Sequence, residues 1–223
     1  GGGGDDVITG NGKTRVGYLK ADAGVFVDLG AGTASSLDEG DAANVGTDTF
    51  TGVRDARGSQ FGDTLVGSDG EGFENFRGMG GDDFIDGGAG DFDRVDYRNS
   101  PDSVFVDLSA GIAQDGFGGT DTLVNIEHVR GSELHSDTLI GDAGDNTLDG
   151  RAGDDTLIGG EGTDTAKFQG NLSDYEITEN ADGTITVTDT VAGRDDRDVL
   201  SSIETLQFAD GSHPASDLSL IHI

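Results

Sequence analysis

Three consecutive stretches decide the fold: Gly141-Asp-Ala-Gly-Asp-Asn146-Thr-Leu148-Asp, Gly150-Arg-Ala-Gly-Asp-Asp155-Thr-Leu157-Ile and Gly159-Gly-Glu-Gly-Thr-Asp164-Thr-Ala166-Lys. No residue separates them, so the chain repeats here with a period of nine. Asp137-Thr-Leu139-Ile is the tail of one more copy. Positions 7 to 9 suit a short strand, with position 8 pointing inward and its neighbours outward. Positions 1 to 6 must reverse the chain, and Gly at 1, 2 and 4 permits the positive φ angles that such a bend requires. Two repeats make one coil, so successive strands stack in parallel about 4.8 Å apart. Like-sided bends are then two repeats apart.

Working outward, further copies occupy Gly1 to Thr9 and Gly78 to Asp86, with a copy carrying one inserted residue from Gly87. A partial copy ends at Asp63-Thr-Leu65-Val. A coarser repeat links Val25-Phe-Val-Asp28-Leu to Val104-Phe-Val-Asp107-Leu. A third, diverged unit carries Asp198-Val-Leu-Ser-Ser-Ile-Glu204, which echoes Asp121-Thr-Leu-Val-Asn-Ile-Glu127.

This spacing creates a problem that a metal ion solves. Stacking sets Asp137 against the bend of Asp155, and Asn146 against that of Asp164. Two carboxylates ~5 Å apart repel by roughly 1 kcal/mol in water and about 3 at an effective dielectric near 20. Bend carbonyl oxygens also crowd inward. A hard cation that takes six to eight oxygens relieves both, and Ca²⁺ suits flexible carbonyl-rich loops better than Mg²⁺. The candidate metal residues are the acids Asp6, Asp63, Asp83, Asp137, Asp155 and Asp164 with Asn146 at position 6. Around them stand Gly78, Gly80, Asp82, Gly87, Ala89, Gly141, Ala143, Asp145, Gly150, Ala152, Asp154, Gly159 and Glu161. The apolar filling visible in the repeats (Ile8, Leu65, Ile85, Leu139, Leu148, Leu157) is thin. A site held ~10-fold above its Kd adds about 1.4 kcal/mol, so several ions would supply stability on the scale of a domain.

The nonapeptides match the pattern G-G-x-G-x-D-x-U-x and cover about a third of the chain. The chain resembles the C-terminal regions of RTX (haemolysin-type) exported proteins. That resemblance implies a right-handed parallel β-roll binding several Ca²⁺ ions, export through type I secretion by an uncleaved C-terminal signal, and folding on meeting extracellular calcium. The tail from Asp217 to Ile223 is similar to the acid-plus-apolar ends of such signals.

Composition agrees. The chain has 223 residues, 40 of them Gly, and a net charge of −31 from 44 acidic and 13 basic residues. Of the acids, 35 are Asp and nine are Glu, a bias toward turns and hard-cation ligation. Nucleic acid and anionic membranes are poor partners for such a chain. No apolar run approaches a membrane span. With no Cys, stapling must come from something other than disulfides. The chain opens within a repeat and without Met, which points to the end of a longer, secreted protein with an upstream passenger.

The expected class is all-β: a parallel β-roll array over 1–168, with longer linking units at about 15–60 and 94–132, then a capping β region over 169–223. Tyr175 and Ile177 alternate with polar residues, Ala181-Asp-Gly183 reads as a turn, and Ile185 and Val187 alternate again, which makes a hairpin. Asp28 and Asp107 read as outward strand residues, and Glu127 and Glu204 as structural. No catalytic constellation appears. His128, His135, His213 and His222 lack a zinc spacing, there is no G-x-S-x-G, and the basic residues are scattered. The chain therefore reads as a non-enzymatic calcium-binding module, with a calcium-dependent adhesin or polysaccharide-binding module as the alternative.

Overall fold

The computed structural model describes residues 2–70 and 72–218. His222 and most of the expected secretion signal lie outside the described residues. Among those described are 21 strands, a single turn of 3-10 helix at Leu172–Asp174 and a short α-helix at Ala215–Leu218. The chain divides into two units, Gly1–Asp96 with Gly111–Ile126, and Tyr97–Ala110 with Glu127–Ile223. Each is a parallel β-roll.

In the second unit, Phe105–Asp107, Thr138–Ile140, Thr156–Ile158 and Arg197–Ser201 pair in parallel as one ladder. His128–Arg130, Thr147–Asp149, Thr165–Lys167 and Thr205–Phe208 form the other. The chain alternates between ladders, so each complete circuit is one coil. Register follows the repeat: Thr138 pairs with Thr156, Leu139 with Leu157 and Ile140 with Ile158, each two repeats on. Position 8 points inward throughout. Val106, Leu139, Leu157 and Leu200 on one ladder, and Val129, Leu148, Ala166 and Leu206 on the other, are all at most 1% exposed.

The first unit repeats the design. Val25–Asp28, Thr64–Val66, Phe84–Asp86 and Thr120–Val124 form one ladder. Val7–Gly17, Thr47–Arg57, Glu74–Arg77 and Asp93–Asp96 form the other. Val27, Leu65, Ile85 and Leu123 line one wall inside, and Val16, Ala56, Phe76 and Val95 the other. The filling is thus richer than the nonapeptides alone suggest, because linking segments contribute many of its rungs. Ile8 is the exception, since it stays half-buried on the first strand.

Where a coil runs longer than two repeats, the excess leaves as antiparallel excursions. Thr33–Ser36 is sandwiched between Val25–Asp28 and Thr47–Arg57, and Ile112–Gln114 pairs with Thr120–Val124. The expected hairpin forms between Tyr175–Glu179 and Ile185–Asp189, with Gly183 at a φ of 87° in its turn. Ile185–Asp189 then pairs antiparallel with Arg197–Ser201, which itself extends the parallel ladder. In both units, therefore, the last strand of the first-named ladder is delivered by an antiparallel neighbour. Asp28 and Asp107 sit at strand ends, where their Oδ1 atoms accept from the N–H of Ala31 at 2.7 Å and Ala110 at 3.0 Å and fix the turn that follows.

Leu157→Ala is expected to destabilise the fold by about 3 kcal/mol, since a fully buried rung offers little room to collapse around the cavity. Leu134→Ala, at a side chain 71% exposed, should shift stability by under roughly 0.5 kcal/mol. Urea unfolding of the two variants in one buffer measures the difference.

Candidate metal centre

The position-6 acids stack into pillars bound through the backbone. In the second unit, the Val104 N–H donates to Asp137 Oδ1 at 2.8 Å, the Asp137 N–H to Asp155 Oδ1 at 2.8 Å, and the Asp155 N–H to Asp198 Oδ1 at 2.9 Å. The first unit holds the same pillar. The Val25 N–H donates to Asp63 at 2.7 Å, Asp63 to Asp83 at 2.8 Å, and Asp83 to Asp121 at 3.1 Å. A third pillar runs from the Asn146 N–H to Asp164 Oδ1 and from the Asp164 N–H to Glu204 Oε2, both at 2.8 Å. One oxygen of each acid thus holds two coils together. The pairing of Asp137 with Asp155 and of Asn146 with Asp164 follows the repeat spacing. Glu204 ends a pillar, which gives this residue of the second Ile-Glu pair a structural role.

The second side-chain oxygen separates the bends into two kinds. In closed bends it is satisfied internally. The Ser59 N–H donates to Asp63 Oδ2 at 2.5 Å, and the Ser59 hydroxyl reaches Oδ1 at 2.9 Å. Ser132 repeats this on Asp137, at 2.6 and 3.1 Å. At the 141 bend asparagine removes the second oxygen: the Asp142 N–H donates to the single Oδ1 of Asn146 at 2.7 Å, and its Nδ2 donates to the Glu127 carbonyl at 3.3 Å. In open bends nothing fills this role: Asp83 Oδ2, Asp155 Oδ2 and Asp164 Oδ2 are buried without a hydrogen-bond partner.

Backbone conformation explains the difference. Open bends place positions 2 and 4 at positive φ: Met79 at 83° and Gly81 at 111°, Arg151 at 80° and Gly153 at 123°, Gly160 at 113° and Gly162 at 110°. No residue of the 58–63 bend, nor residues 142 and 144, has a positive φ. Position 1 departs from expectation, since Gly78, Gly150 and Gly159 have no positive φ. Glycine is needed there for space: a Cβ on any of the three would collide with the position-6 carboxylate of its own bend.

Burial and crowding raise the affinity of these acids for protons. Burial, then the charges of Asp121 and Asp63, pushes Asp83 up to about 9. Asp155 rises to about 8, through burial first and then Asp137, Asp195 and Asp149. Asp198 rises to about 9 by burial and the charge of Asp155. Asp63 and Asp137 are pushed by burial only to about 6, because the Ser59 and Val25 donors on Asp63, and the Val104 and Ser132 donors on Asp137, offset part of it. Burial raises Asp164 as well.

A buried, charge-crowded oxygen without a donor fits a hard cation. Asp83, Asp155 and Asp164 are the side chains that would hold one. Main-chain oxygens would complete the shell, since among the described residues no three Asp, Glu or His side chains converge. The candidate residues at position 1 (Gly78, Gly87, Gly141, Gly150 and Gly159) are buried against the pillars. At position 3, Gly80 and Ala152 are buried or nearly so, whereas Ala89, Ala143 and Glu161 are exposed. The position-5 acids Asp82, Asp145 and Asp154 lie toward solvent. Asp82 and Asp145 clamp successive bends from outside, accepting from the Thr120 and Thr163 N–H groups at 2.8 Å. Asp6 takes the Gly2 N–H at 2.9 Å and donates its own N–H to Asp48.

Several contributors escape the nonapeptide pattern. Asp121 and Asp198 end pillars from within linking segments. Tyr18 and Tyr175 donate their hydroxyls to the buried acids Asp48 and Asp195. The basic residues are less scattered than their sequence positions imply. Parallel stacking brings Arg15, Arg77 and Arg94 onto one ladder, where Arg15 pairs with Asp55 at 2.9 Å and Arg77 with Asp96 at 3.0 Å. The signal for this was the shared spacing of Arg77 to Asp96 and of Arg130 to Asp149, which also pair.

The RTX calcium-binding nonapeptide repeat matches the chain in four copies, over residues 69–91 and 134–166. No curated protein matches it. The matched spans contain the bends of Asp83, Asp155 and Asp164. The chain is thus similar to RTX repeat arrays, carries their calcium-binding nonapeptides on a parallel β-roll, and takes Ca²⁺ as its cofactor at several sites.

Acids whose pKa is raised by folding favour the metal-free fold at low pH. That contribution is complete below the unfolded value near 3.9 and is lost as pH rises through about 8 to 9 for Asp155 and Asp83. In chelator, β-structure followed by far-UV circular dichroism should therefore increase from pH 9 to pH 5. A signal that stayed flat or fell over that window would contradict the burial of these carboxylates.

Proposed function

We propose that the chain is a calcium-triggered folding module of an exported protein, one that supports the secretion, folding and stability of a passenger carried upstream. The observation behind this reading is the set of partnerless carboxylate oxygens on Asp83, Asp155 and Asp164. Each stands in a pillar of acids drawn from other coils, so the fold concentrates charge that an extended chain keeps apart. In a medium poor in calcium that concentration opposes coiling. In a calcium-rich medium outside the cell, Ca²⁺ supplies positive charge and oxygen coordination at these bends.

The protein's own residues do the rest. Positive φ at positions 2 and 4 holds the open bends in shape. The first oxygen of each acid stays bonded to the neighbouring coil while the second remains available. Filling three such sites to ~10-fold above their Kd would add about 4 kcal/mol, a large share of a domain's stability. Repeats of this kind are typical of secreted proteins, which favours an extracellular location. The repeat is a structural calcium-binding module rather than a catalytic one, and the proposed role requires no chemistry at the bends.

The test is a calcium titration of the chelated chain followed by far-UV circular dichroism. A cooperative gain of β-structure is expected, with the midpoint shifted to higher calcium in Asp155→Asn and Asp164→Asn. An ordered spectrum that calcium and chelator leave unchanged would overturn the proposal.

A further inference from the structure

The two kinds of bend carry a second reading, which rests on the calcium reading above. We propose that the Gly-Ser bends are calcium-free rungs, in which the serine stands where an ion stands in the open bends. Three copies support it independently. Ser59 donates its N–H and hydroxyl to Asp63, at 2.5 and 2.9 Å. Ser132 does the same to Asp137, at 2.6 and 3.1 Å. Ser68 does so to Glu74, with N–H and hydroxyl both at 2.8 Å. In each, the residue after the position-1 glycine turns two donors onto an acid that is at most 2% exposed.

The open bends bury their acids as deeply but differ in backbone and donors. Met79, Arg151 and Gly160 follow the glycine at positive φ, and Asp83, Asp155 and Asp164 each keep one oxygen without a donor. Serine therefore supplies two neutral donors to a carboxylate whose counterparts call for a cation. A bend so satisfied gains little from an ion, because binding would first break two hydrogen bonds to a buried charge. The 141 bend reaches the same end by another route, with the neutral Asn146 capped by the Asp142 N–H. These three Gly-Ser pairs lie outside the spans 69–91 and 134–166 that match the calcium-binding repeat.

Closed and open bends are also stacked in pairs. Asp63 lies one coil before Asp83, Asp137 before Asp155, and Asn146 before Asp164. Each ion-dependent bend thus has a neighbour that keeps its shape without metal. The closed member serves as a preformed template on which the open bend is ordered when calcium arrives.

Counting bound Ca²⁺ by native mass spectrometry on the full chain tests this. Asp63→Asn and Asp137→Asn should retain the wild-type number of ions, whereas Asp83→Asn, Asp155→Asn and Asp164→Asn should each lose one. Ser59→Gly combined with Phe61→Gly rebuilds Gly-Gly-Gln-Gly-Gly-Asp over residues 58–63 and should gain one. Loss of an ion from Asp63→Asn or Asp137→Asn, or an unchanged count in the double glycine variant, overturns the inference. A wild-type chain that binds no ion at all would remove the calcium reading itself, whereas a wild type that binds ions alongside unresponsive serine variants removes only the serine assignment.

Discussion

The structure depends on what happens to the second oxygen of a buried carboxylate. A parallel coil with an acid at the same place in every turn must bring like charges into register, and burial makes each charge harder to hold. The first oxygen is easily satisfied, because along each pillar the coil before it offers an N–H. Everything distinctive about the bends follows from the fate of the other oxygen: a serine, an amide in place of the acid, a tyrosine hydroxyl, or no donor at all, where the proposed cation would sit. Asp63, Asn146, Asp48 and Asp155 illustrate these four solutions in turn.

That variety makes the roll less uniform than its repeats suggest. The strands are interchangeable, three residues long in the strict repeats and always with position 8 inward. The bends are not. A residue at position 2 that accepts positive φ leaves the acid bare, while a serine there bonds it. On the proposed division of the bends, stability that depends on metal is confined to particular coils, whereas the ladders of Leu139, Leu157 and Leu148 in the second unit, and of Leu65 and Ile85 in the first, are buried in every coil they cross.

Much of this is legible in the sequence. The nine-residue period yields the strand positions, the parallel register and the pairing of Asp137 with Asp155, because stacking geometry leaves a regular repeat few alternatives. The hairpin around Gly183 is legible from alternation and turn residues. Position-1 glycine has a different role from the expected one: Gly150 provides the space its neighbour's carboxylate occupies rather than a left-handed backbone. The pillar ends Asp121 and Asp198 are hidden from repeat spacing, since they arrive from linking segments far along the chain from their partners Asp83 and Asp155. The distinction between closed and open bends also escapes the nonapeptide pattern, although its signal, serine after glycine, lies in plain view at residues 59, 68 and 132.

The alternation between two ladders also constrains how such a chain can change length. Because Leu139 meets Leu157 and Leu148 meets Ala166, each two repeats along, a pair of repeats is the smallest removable segment. Deleting a full coil carries every later strand to an equivalent place. Deleting a single repeat would send every later strand across to the opposite wall and pair each acid with a pillar it was not built for. Variation in the size of such a roll should therefore proceed in even numbers of repeats, and a frame of this kind would tolerate doubling far better than gradual growth.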